Sequence, residues 1–420
     1  MNLTIDADRL QAELRTLATF SEPPAEGGVK PGDTAVTRIV FSEHDREARQ
    51  WLSEKAQATG VSIRTDSVGN TFFRWRGTEP DLPAIATGSH IDAIPNAGMY
   101  DGTVGVLGGL EAIRALQASG FTPKRSIELI LFTSEEPTRF GIGCLGSRVL
   151  SGTLTPEAAA TLRDKDDQTL DEARNAAGFH GSVESAQLEP NRYAHFVELH
   201  IEQGPLLERE HIPIGIVTAI AAPASSRITI QGEGGHAGAL LMPYRRDALA
   251  AAAEIILAVE SAALATGAID TVATVGICDV FPGAVNSVPS RVRLALDVRD
   301  IDQSRRDRVL KDIAQACDTT AAKRHVAITT EALNADAPAT CSPAILEAIE
   351  QACVDDCIPY KRMVSRAYHD TTFMARLCPV AMIFIPCRAG VSHRPDEYST
   401  PESIAQGTRI LAKTLATLSS

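Results

Sequence analysis

The sequence predicts an α/β protein with two domains, in which a domain of β-α-β-β-α-β (ferredoxin-like) order is inserted into a discontinuous α/β domain. Three observations predict this class. The chain has 420 residues, about three times a modal domain, so two hydrophobic cores are expected. Nearly continuous apolar strands alternate with helical patterns in the outer parts of the chain. In the middle part, the strands instead alternate between apolar and polar residues.

The first part of the chain alternates between helices and strands. Strands that are apolar almost throughout are typical of a sheet that helices cover on both faces. Residues 164–191 are polar and charged, and we expect a surface excursion there. The remaining predicted elements of this part are helices over 6–17, 43–59 and 102–119, and strands over 61–65, 71–76, 82–87, 126–133 and 194–199.

The middle part predicts a sheet with one solvated face, because every second residue of 292–298 is a branched apolar residue. Its elements follow the order of a split βαβ sandwich, and the α/β pattern resumes near residue 338. We therefore predict one domain over 1–212 and 332–420 and an inserted domain over 213–331. The elements are a strand around 228–230, a helix over 247–265, strands over 272–278 and 292–298, a helix over 303–322, a strand over 326–330, then helices over 342–354 and 401–416 and a strand over 380–386.

Composition excludes several classes of protein. The hydrophobic fraction of 44% and the charged fraction of 22% are those of a globular protein. A net charge of −13 argues against a nucleic-acid partner. The sequence has no run of 18 apolar residues and no basic-then-apolar start, so neither a membrane span nor a signal peptide is expected. Eight cysteines without CxxC pairs indicate reduced thiols. We expect a soluble, cytoplasmic protein.

Polar side chains follow the predicted apolar strands of the outer domain at the points where the strands end. Open α/β sheets bind their ligands at this edge. Imidazole and carboxylate donors without thiolate suit Zn²⁺, Mn²⁺ or Co²⁺. The alternative is that each histidine is a satisfied structural residue and that the Asp-Gly pair is a turn. The residues are His90 and Asp92, Asp101 before Gly102, Glu135 and Glu136, His200, and His393.

Other catalytic motifs are weak or absent in the sequence. Neither a phosphate-binding GxxxxGK[ST] loop nor a GxSxG nucleophile motif is present. Cys144 is a candidate amidase nucleophile, but no base partner is evident from the sequence, and a buried structural thiol is the alternative.

Five motifs resemble the dinuclear metal amidohydrolases that include allantoate amidohydrolase and N-carbamoyl-L-amino acid hydrolase, within the aminoacylase/carboxypeptidase-G-type superfamily. The resemblance runs from about Phe20 to the C-terminus. Within the family it is strongest to the ureidoglycolate amidohydrolase branch, through 88–95, 219–225 and 365–370. The motifs are Gly88-Ser89-His90-Ile91-Asp92, Asp101-Gly102, Glu135-Glu136-Pro137-Thr138-Arg139-Phe140, His200-Ile201-Glu202-Gln203-Gly204-Pro205 and Gly234-Gly235-His236-Ala237-Gly238.

The resemblance implies two divalent ions per subunit, with manganese favoured and zinc or cobalt as alternatives. One ion would be held by His90, Asp101 and His200, and the other by Asp101, Glu136 and His393, so that Asp101 bridges them. Glu135 would act as the general base, and Asp92 would orient His90. The peptide bond after Asp101 would be cis.

The resemblance also implies a substrate site and a homodimer. The inserted domain would act as a lid and dimerisation domain, and residues from it would reach the partner's site. The expected reaction is hydrolysis of the ureido C–N bond of (S)-ureidoglycolate in purine (ureide) catabolism. The alternatives are hydrolysis of allantoate or N-carbamoyl-L-amino acids, a dipeptidase, or a metal-binding relative without catalysis. The implied substrate-binding residues are Glu202, Gln203, His236, Asn286, Arg299, Tyr368 and His369.

Overall fold

The computed structural model describes residues 3–24 and 33–420. Two segments lie outside the described part, residues 1–2 and residues 25–32. The expectation of no signal peptide rests partly on the first, and the second lies within the span of the resemblance. The chain forms two compact units. The second comprises Ala219–Ala339 and Arg366–Tyr368, and the first comprises the rest of the described residues.

The helices and strands are numbered here in chain order over the described residues. The α-helices are α1 (Ala7–Ala18), α2 (Glu43–Gln57), α3 (Thr103–Ala118), α4 (Leu145–Leu150), α5 (Pro156–Thr161), α6 (Leu170–Ala176), α7 (Leu206–Glu210), α8 (Ala248–Ala265), α9 (Gln303–Arg324), α10 (Pro343–Asp355), α11 (Thr371–Met374) and α12 (Pro401–Ser419). The strands are β1 (Val36–Arg38), β2 (Ser62–Thr65), β3 (Thr71–Trp75), β4 (Ala84–Ser89), β5 (Ala93–Ala97), β6 (Ile127–Leu131), β7 (Tyr193–Ile201), β8 (Ile214–Ile220), β9 (Ala222–Gln231), β10 (Gly235–His236), β11 (Val272–Phe281), β12 (Ser287–Val288), β13 (Arg291–Asp300), β14 (Ala327–Ala335), β15 (Ala339–Thr340), β16 (Tyr360–Ser365) and β17 (Val380–Ile385).

The large sheet belongs to the first unit and has the strand order β15-β8-β17-β7-β4-β6-β3-β2, with β16 paired to β8. Its central strands β17, β7, β4 and β6 are parallel. Every residue of β4, β6 and β17 is buried, which explains why these strands are apolar almost throughout. The predicted α/β class is confirmed.

The segment 164–191 is more than the surface excursion that we expected. It contains α6, begun by a capping box at Thr169 and Glu172. Leu170, Ala173 and Val183 are buried in an apolar cluster of the first unit. Most of the segment is exposed, as expected, but a few apolar residues spaced among many charges form the buried side of a short helix and of the turn after it.

The second unit has an antiparallel sheet of strand order β11-β13-β9-β14. The helices α8 and α9 pack against it, and Ile255, Leu294 and Ile313 lie in the shared core. The unit begins later than the predicted residue 213, because β8 pairs with β17 of the large sheet. It ends later than the predicted residue 331, because β14 continues along β9 to Ala335.

Helix α8 has two apolar sides. Among the described residues it alone is long and apolar enough to cross a membrane by length and composition. Ile255 and Val259 on one side are buried in the core of the second unit. Leu257 and Leu264 on another side are 64% and 74% exposed. The helix therefore leaves an apolar surface uncovered in the single chain.

Candidate metal centre

The site lies at the carboxyl edge of the large sheet. His90 directly follows β4, Glu135 and Glu136 follow β6 after a short turn, and His200 is the last residue but one of β7. The loop after β17 carries His393. Because these four strands are parallel, their carboxyl ends meet at one edge and bring residues from distant parts of the sequence together.

The first group of donor atoms is formed by His90, Asp101 and His200, whose ligand atoms lie within 4.8 Å of one another. Oδ1 of Asp101 is 3.2 Å from Nε2 of His200 and 3.7 Å from Nε2 of His90. The side chains of all three residues are almost completely buried.

The second group is formed by Asp101, Glu136 and His393, again with all ligand atoms within 4.8 Å. Nε2 of His393 is 3.2 Å from Oδ2 of Asp101 and 3.2 Å from Oε1 of Glu136. The two oxygens of Asp101 therefore face different groups. This is the arrangement that a carboxylate bridging two ions requires.

The donor set fits divalent cations. Nδ1 of His90 is 3.0 Å from the carbonyl oxygen of Asp92, and Nδ1 of His200 is 2.9 Å from that of Ile201. A carbonyl can only accept, so the proton is assigned to Nδ1 in both rings, and the lone pair of Nε2 faces the carboxylates. Burial opposes ionisation of Asp101, but the close approach of the imidazoles, first His200, holds the pKa of its carboxyl well below the usual range.

Glu135 lies at the border of the first group. Its Oε2 is 3.8 Å from Nε2 of His90, and its Oε1 accepts a hydrogen bond from the thiol of Cys144 at 3.3 Å. Burial raises the pKa of this carboxyl well above its usual range, and the neighbouring carboxylate of Glu136 adds to the shift. A carboxyl group with a raised proton affinity is suited to general acid–base chemistry.

Asp92 contacts both His90 and the Glu135-Glu136 turn, whereas the sequence predicted only the contact with His90. Its carbonyl oxygen, rather than its carboxylate, is the partner of His90 within hydrogen-bond distance, since Oδ1 lies 3.6 Å from Nδ1 of that ring. The carboxylate accepts hydrogen bonds from the backbone amides of Glu135 at 3.2 Å and Glu136 at 3.0 Å. Asp92 therefore fixes the Glu-Glu turn directly.

The peptide bond after Asp101 is not cis, and this prediction is wrong for the structure. Within residues 3–24 and 33–420, the cis bond lies at Phe281–Pro282. The chain turns instead at Gly102, which has a φ of +66°. A Cβ atom at this position would lie 2.4 Å from Nε2 of His90, so only glycine fits.

Three polar residues hold Asp101 from outside the two groups, and the sequence identified only Gln203 among them. Nε2 of Gln203 and Oγ of Ser392 each donate to Oδ2 of Asp101 at 2.7 Å. Oε1 of Glu397 accepts from the backbone amides of Tyr100 and Asp101. Gln203 is thus placed on the carboxylate of Asp101. Ser392 directly precedes His393 in the sequence, and this adjacency could have identified the serine.

Glu202 differs from the predicted substrate contact. Its two carboxylate oxygens accept the backbone amides of Leu206 at 2.9 Å and Leu207 at 2.8 Å, at the start of α7. The side chain is therefore committed to a helix N-terminus. We interpret Glu202 as a residue that fixes the loop carrying Gln203.

His369 is buried beside the first group. Its ring packs edge-on against that of His200, with 4.7 Å between centroids, and its Nε2 is 3.0 Å from Oγ of Ser365. Burial lowers the pKa of His369 well below its usual range, so the ring is neutral. Glu198, His200 and His369 form a further group of three possible ligands.

The predicted substrate residues of the inserted domain all lie in the second unit. His236 and Asn286 are brought together: β10 pairs with β12, and the amide of Ala237 donates to the carbonyl of Asn286 at 2.8 Å. Arg299 lies on β13, and its Nε donates to Oδ1 of Asp297 at 2.9 Å. Their part in substrate binding stays a prediction.

Tyr368 also falls in the second unit. Its hydroxyl group donates to the carboxylate of Asp336. This oxygen was expected to contact substrate, and the structure gives it a partner within the protein.

Comparison with known proteins places the chain among relatives of known activity. The family model described as peptidase family M20/M25/M40 matches residues 86–417. The chain is 49% identical to the ureidoglycolate hydrolase of Arabidopsis thaliana over 100% of this chain and 88% of the relative. It is 40% identical to the N-carbamoyl-L-amino acid amidohydrolase of Geobacillus stearothermophilus over 98% of each. A crystal structure of AtUAH in complex with glyoxylate matches with a TM-score of 0.86 and 49% identity, covering 99% of this chain and 98% of that one. On this basis, the chain belongs to the peptidase family M20/M25/M40.

Proposed function

We propose that this enzyme hydrolyses the ureido C–N bond of (S)-ureidoglycolate, giving in total glyoxylate, carbon dioxide and two molecules of ammonia. Membership of the family makes the chain a hydrolase of amide C–N bonds. The assignment of this substrate rests on sequence identity. The chain is 49% identical to a ureidoglycolate hydrolase along its whole length, and 40% identical to a carbamoyl-amino-acid hydrolase. The related structure with glyoxylate supports the same choice, because glyoxylate is a product of the proposed reaction.

The M20 family is metal-dependent, and the structure contains two groups of suitable donors around Asp101. We assign one ion to His90, Asp101 and His200, and a second to Asp101, Glu136 and His393. Manganese is the proposed metal, although the same oxygen and imidazole donors also suit zinc and cobalt. When bound, divalent ions polarise the substrate carbonyl and make water a stronger acid.

In the proposed mechanism, Glu135 moves the protons. Its carboxylate takes a proton from the attacking water and later delivers it to the leaving nitrogen. The turn that carries Glu135 is fixed by two backbone hydrogen bonds to Asp92. The base therefore stays in place through both transfers, which avoids the entropic cost of orienting it anew.

We propose that the substrate carboxylate is bound by Arg299, whose planar guanidinium can donate to both oxygens. In the structure its Nε and Nη2 face the carboxylate of Asp297, so an anion would share or replace this partner. His236, Asn286, Gln203, Tyr368 and His369 complete the proposed substrate site.

We propose a homodimer through the inserted domain, in which residues of one chain serve the partner's site. Strand β11 pairs with β13 and lies at the edge of its sheet. Exposed apolar residues follow this edge and one side of α8, with Ile277 54%, Phe281 54%, Leu257 64% and Leu264 74% exposed. An open edge beside an apolar surface is typical of an interface. We further propose that the enzyme is soluble and cytoplasmic.

One experiment tests the substrate and the metal together. Purified protein is stripped with a chelator, reloaded with Mn²⁺, and assayed side by side on ureidoglycolate, allantoate and N-carbamoyl-L-amino acids. We expect no turnover after chelation, recovery with Mn²⁺, and the highest kcat/KM on ureidoglycolate. Preference for a larger substrate would reject the ureidoglycolate assignment and retain the metal mechanism. Full activity in the metal-free protein would reject both groups as a catalytic centre.

A further inference from the structure

The thiol of Cys144 lies against the proposed general base. Its Sγ donates to Oε1 of Glu135 at 3.3 Å, a distance suited to a sulfur donor, and Cys144 is completely buried. Oε2 of the same carboxylate lies 3.8 Å from Nε2 of His90. The two oxygens of Glu135 therefore have different surroundings, with a thiol at one and the first group of donor atoms at the other.

The backbone keeps the thiol in this position. The amide of Cys144 donates to the carbonyl of Glu135 at 2.7 Å, and the next two amides donate to the carbonyls of Ser134 and Thr133 at 2.8 Å each. Cys144 has a φ of +56°. This left-handed conformation is uncommon for a residue with a side chain and costs on the order of 1–3 kcal/mol, so surrounding contacts must maintain it.

The same surroundings argue against a nucleophilic role for Cys144. Burial raises the pKa of its thiol well above the usual range, and the carboxylates of Glu135 and Asp370 add to the shift. A thiol that remains protonated is a poor nucleophile. It remains a hydrogen-bond donor, although a weak one.

We propose that Cys144 is a positioning residue that holds Oε1 of Glu135 and thereby directs Oε2 toward the metal centre. A carboxylate held at one oxygen cannot rotate freely, so the other oxygen stays aimed at the water whose proton it takes. A weak donor restricts this rotation without binding the charge as tightly as a hydroxyl group does. The inference rests on the proposed function, in which Glu135 moves the protons.

The kinetic test compares Cys144→Ala and Cys144→Ser with Cys353→Ala as a matched control. Cys353 is equally buried and lies on α10 of the same unit, a helix that carries none of the proposed site residues. For Cys144→Ala we expect kcat on ureidoglycolate to fall roughly tenfold, since a misdirected base loses much of its effect, with KM and bound manganese unchanged. Cys144→Ser keeps a donor and should retain most of kcat. Cys353→Ala should behave as the wild type.

Three outcomes for the alanine variants would overturn the proposal. They are a wild-type kcat in Cys144→Ala, a fall of kcat in Cys353→Ala equal to that in Cys144→Ala, and a loss of bound manganese in Cys144→Ala that accounts for its whole fall in kcat. A serine variant that folds with its metal but is as slow as the alanine variant would also overturn it.

Infrared spectroscopy tests the hydrogen bond without turnover. The S–H stretching band of Cys144 is isolated as the difference between the wild type and Cys144→Ala. In Glu135→Gln a neutral amide replaces the carboxylate, so the band should move to higher frequency as the hydrogen bond weakens. An unmoved band would reject the contact itself. A moved band together with full turnover of Glu135→Gln would reject Glu135 as the base, and with it both the proposed mechanism and the role of Cys144.

Discussion

The carboxylate of Glu397 accepts a hydrogen bond from the backbone amide of Asp101 at 3.0 Å, although the two residues are 296 positions apart. Its other oxygen lies 2.9 Å from Oγ of Ser392, whose hydroxyl group donates to Oδ2 of Asp101 at 2.7 Å. Glu397 thus connects the loop of Asp101 to the loop that carries His393.

We predict that Glu397→Ala weakens metal binding while the fold is kept. Residues that orient metal ligands typically change affinity by about 10–100-fold. The measurement is a manganese titration of the stripped protein, with Glu402→Ala, at an exposed position in the first turn of α12, as the control. Wild-type affinity in Glu397→Ala would contradict a role in holding Asp101.

A second prediction separates proton transfer from metal binding. Glu135→Gln should retain manganese and lose turnover by about 10²–10⁴-fold, because a neutral amide cannot accept the proton of water. Metal analysis and kcat measured on one preparation check both parts. Turnover close to that of the wild type would remove Glu135 from the mechanism.

A third prediction follows from the proposed dimer. If Arg299 serves the partner's site, the inactive variants Glu135→Gln and Arg299→Ala should complement each other when they are refolded together. Random pairing makes half of the dimers mixed, and one of the two sites in each mixed dimer is intact. About a quarter of the wild-type activity is therefore expected from the two-fold symmetry. The control refolds each variant alone. Absence of recovery in demonstrated mixed dimers would place Arg299 in the site of its own chain.

A fourth prediction concerns substrate size and Tyr368. Ureidoglycolate has only a hydroxyl group where allantoate has a second ureido arm and carbamoylated amino acids have a side chain. Tyr368→Gly should lower activity on ureidoglycolate and allow measurable activity on the larger compounds. Because the phenol oxygen is bound to Asp336, we attribute this selectivity to the ring. Tyr368→Phe should therefore still exclude the larger substrates. If Tyr368→Phe accepts them as Tyr368→Gly does, the hydroxyl group is the determinant.

A fifth prediction concerns the pH dependence of stability in the second unit. Glu254 on α8 accepts hydrogen bonds from Arg324 at 2.6 Å and Lys323 at 2.8 Å on α9. These bonds, first that of Arg324, lower the pKa of its carboxyl from 4.5 to about 2. Its folded pKa is depressed, so the stabilisation is present above about pH 4.5 and is lost as the pH falls toward 2.

The corresponding variant is Glu254→Gln. It should lower the free energy of unfolding at pH 7 by about 0.5–1 kcal/mol, as expected of a partly exposed ion pair. The difference from the wild type should shrink below pH 4.5. Denaturant unfolding at several pH values checks this, with Glu260→Gln on the exposed side of the same helix as the control. A difference that grows on acidification would contradict the assignment.

Much of the fold could be predicted from local patterns. Helices α1, α2, α3 and α8 begin or end within two residues of their predicted bounds, because one buried side of a helix repeats every three to four residues. The central strands were recognisable because burial on both faces makes them apolar throughout. The short helix α6 within segment 164–191 was not predicted, because its few buried residues are outnumbered by charges. The exact ends of the second unit followed from the pairing of β8 and β14, which the sequence does not show.

The sequence by itself determined which side chains stand at the strand ends, since parallel strands bring His90, Glu136, His200 and His393 to one edge. Only the tertiary structure decided how those side chains are held. Glu397 on Asp101 and Asp92 on the Glu-Glu turn are hydrogen bonds between separate loops, and Cys144 on Glu135 is a hydrogen bond across one loop. Such contacts leave no periodic signal in the sequence, because a hydrogen bond depends on where two loops meet in space and not on the spacing of residues along the chain.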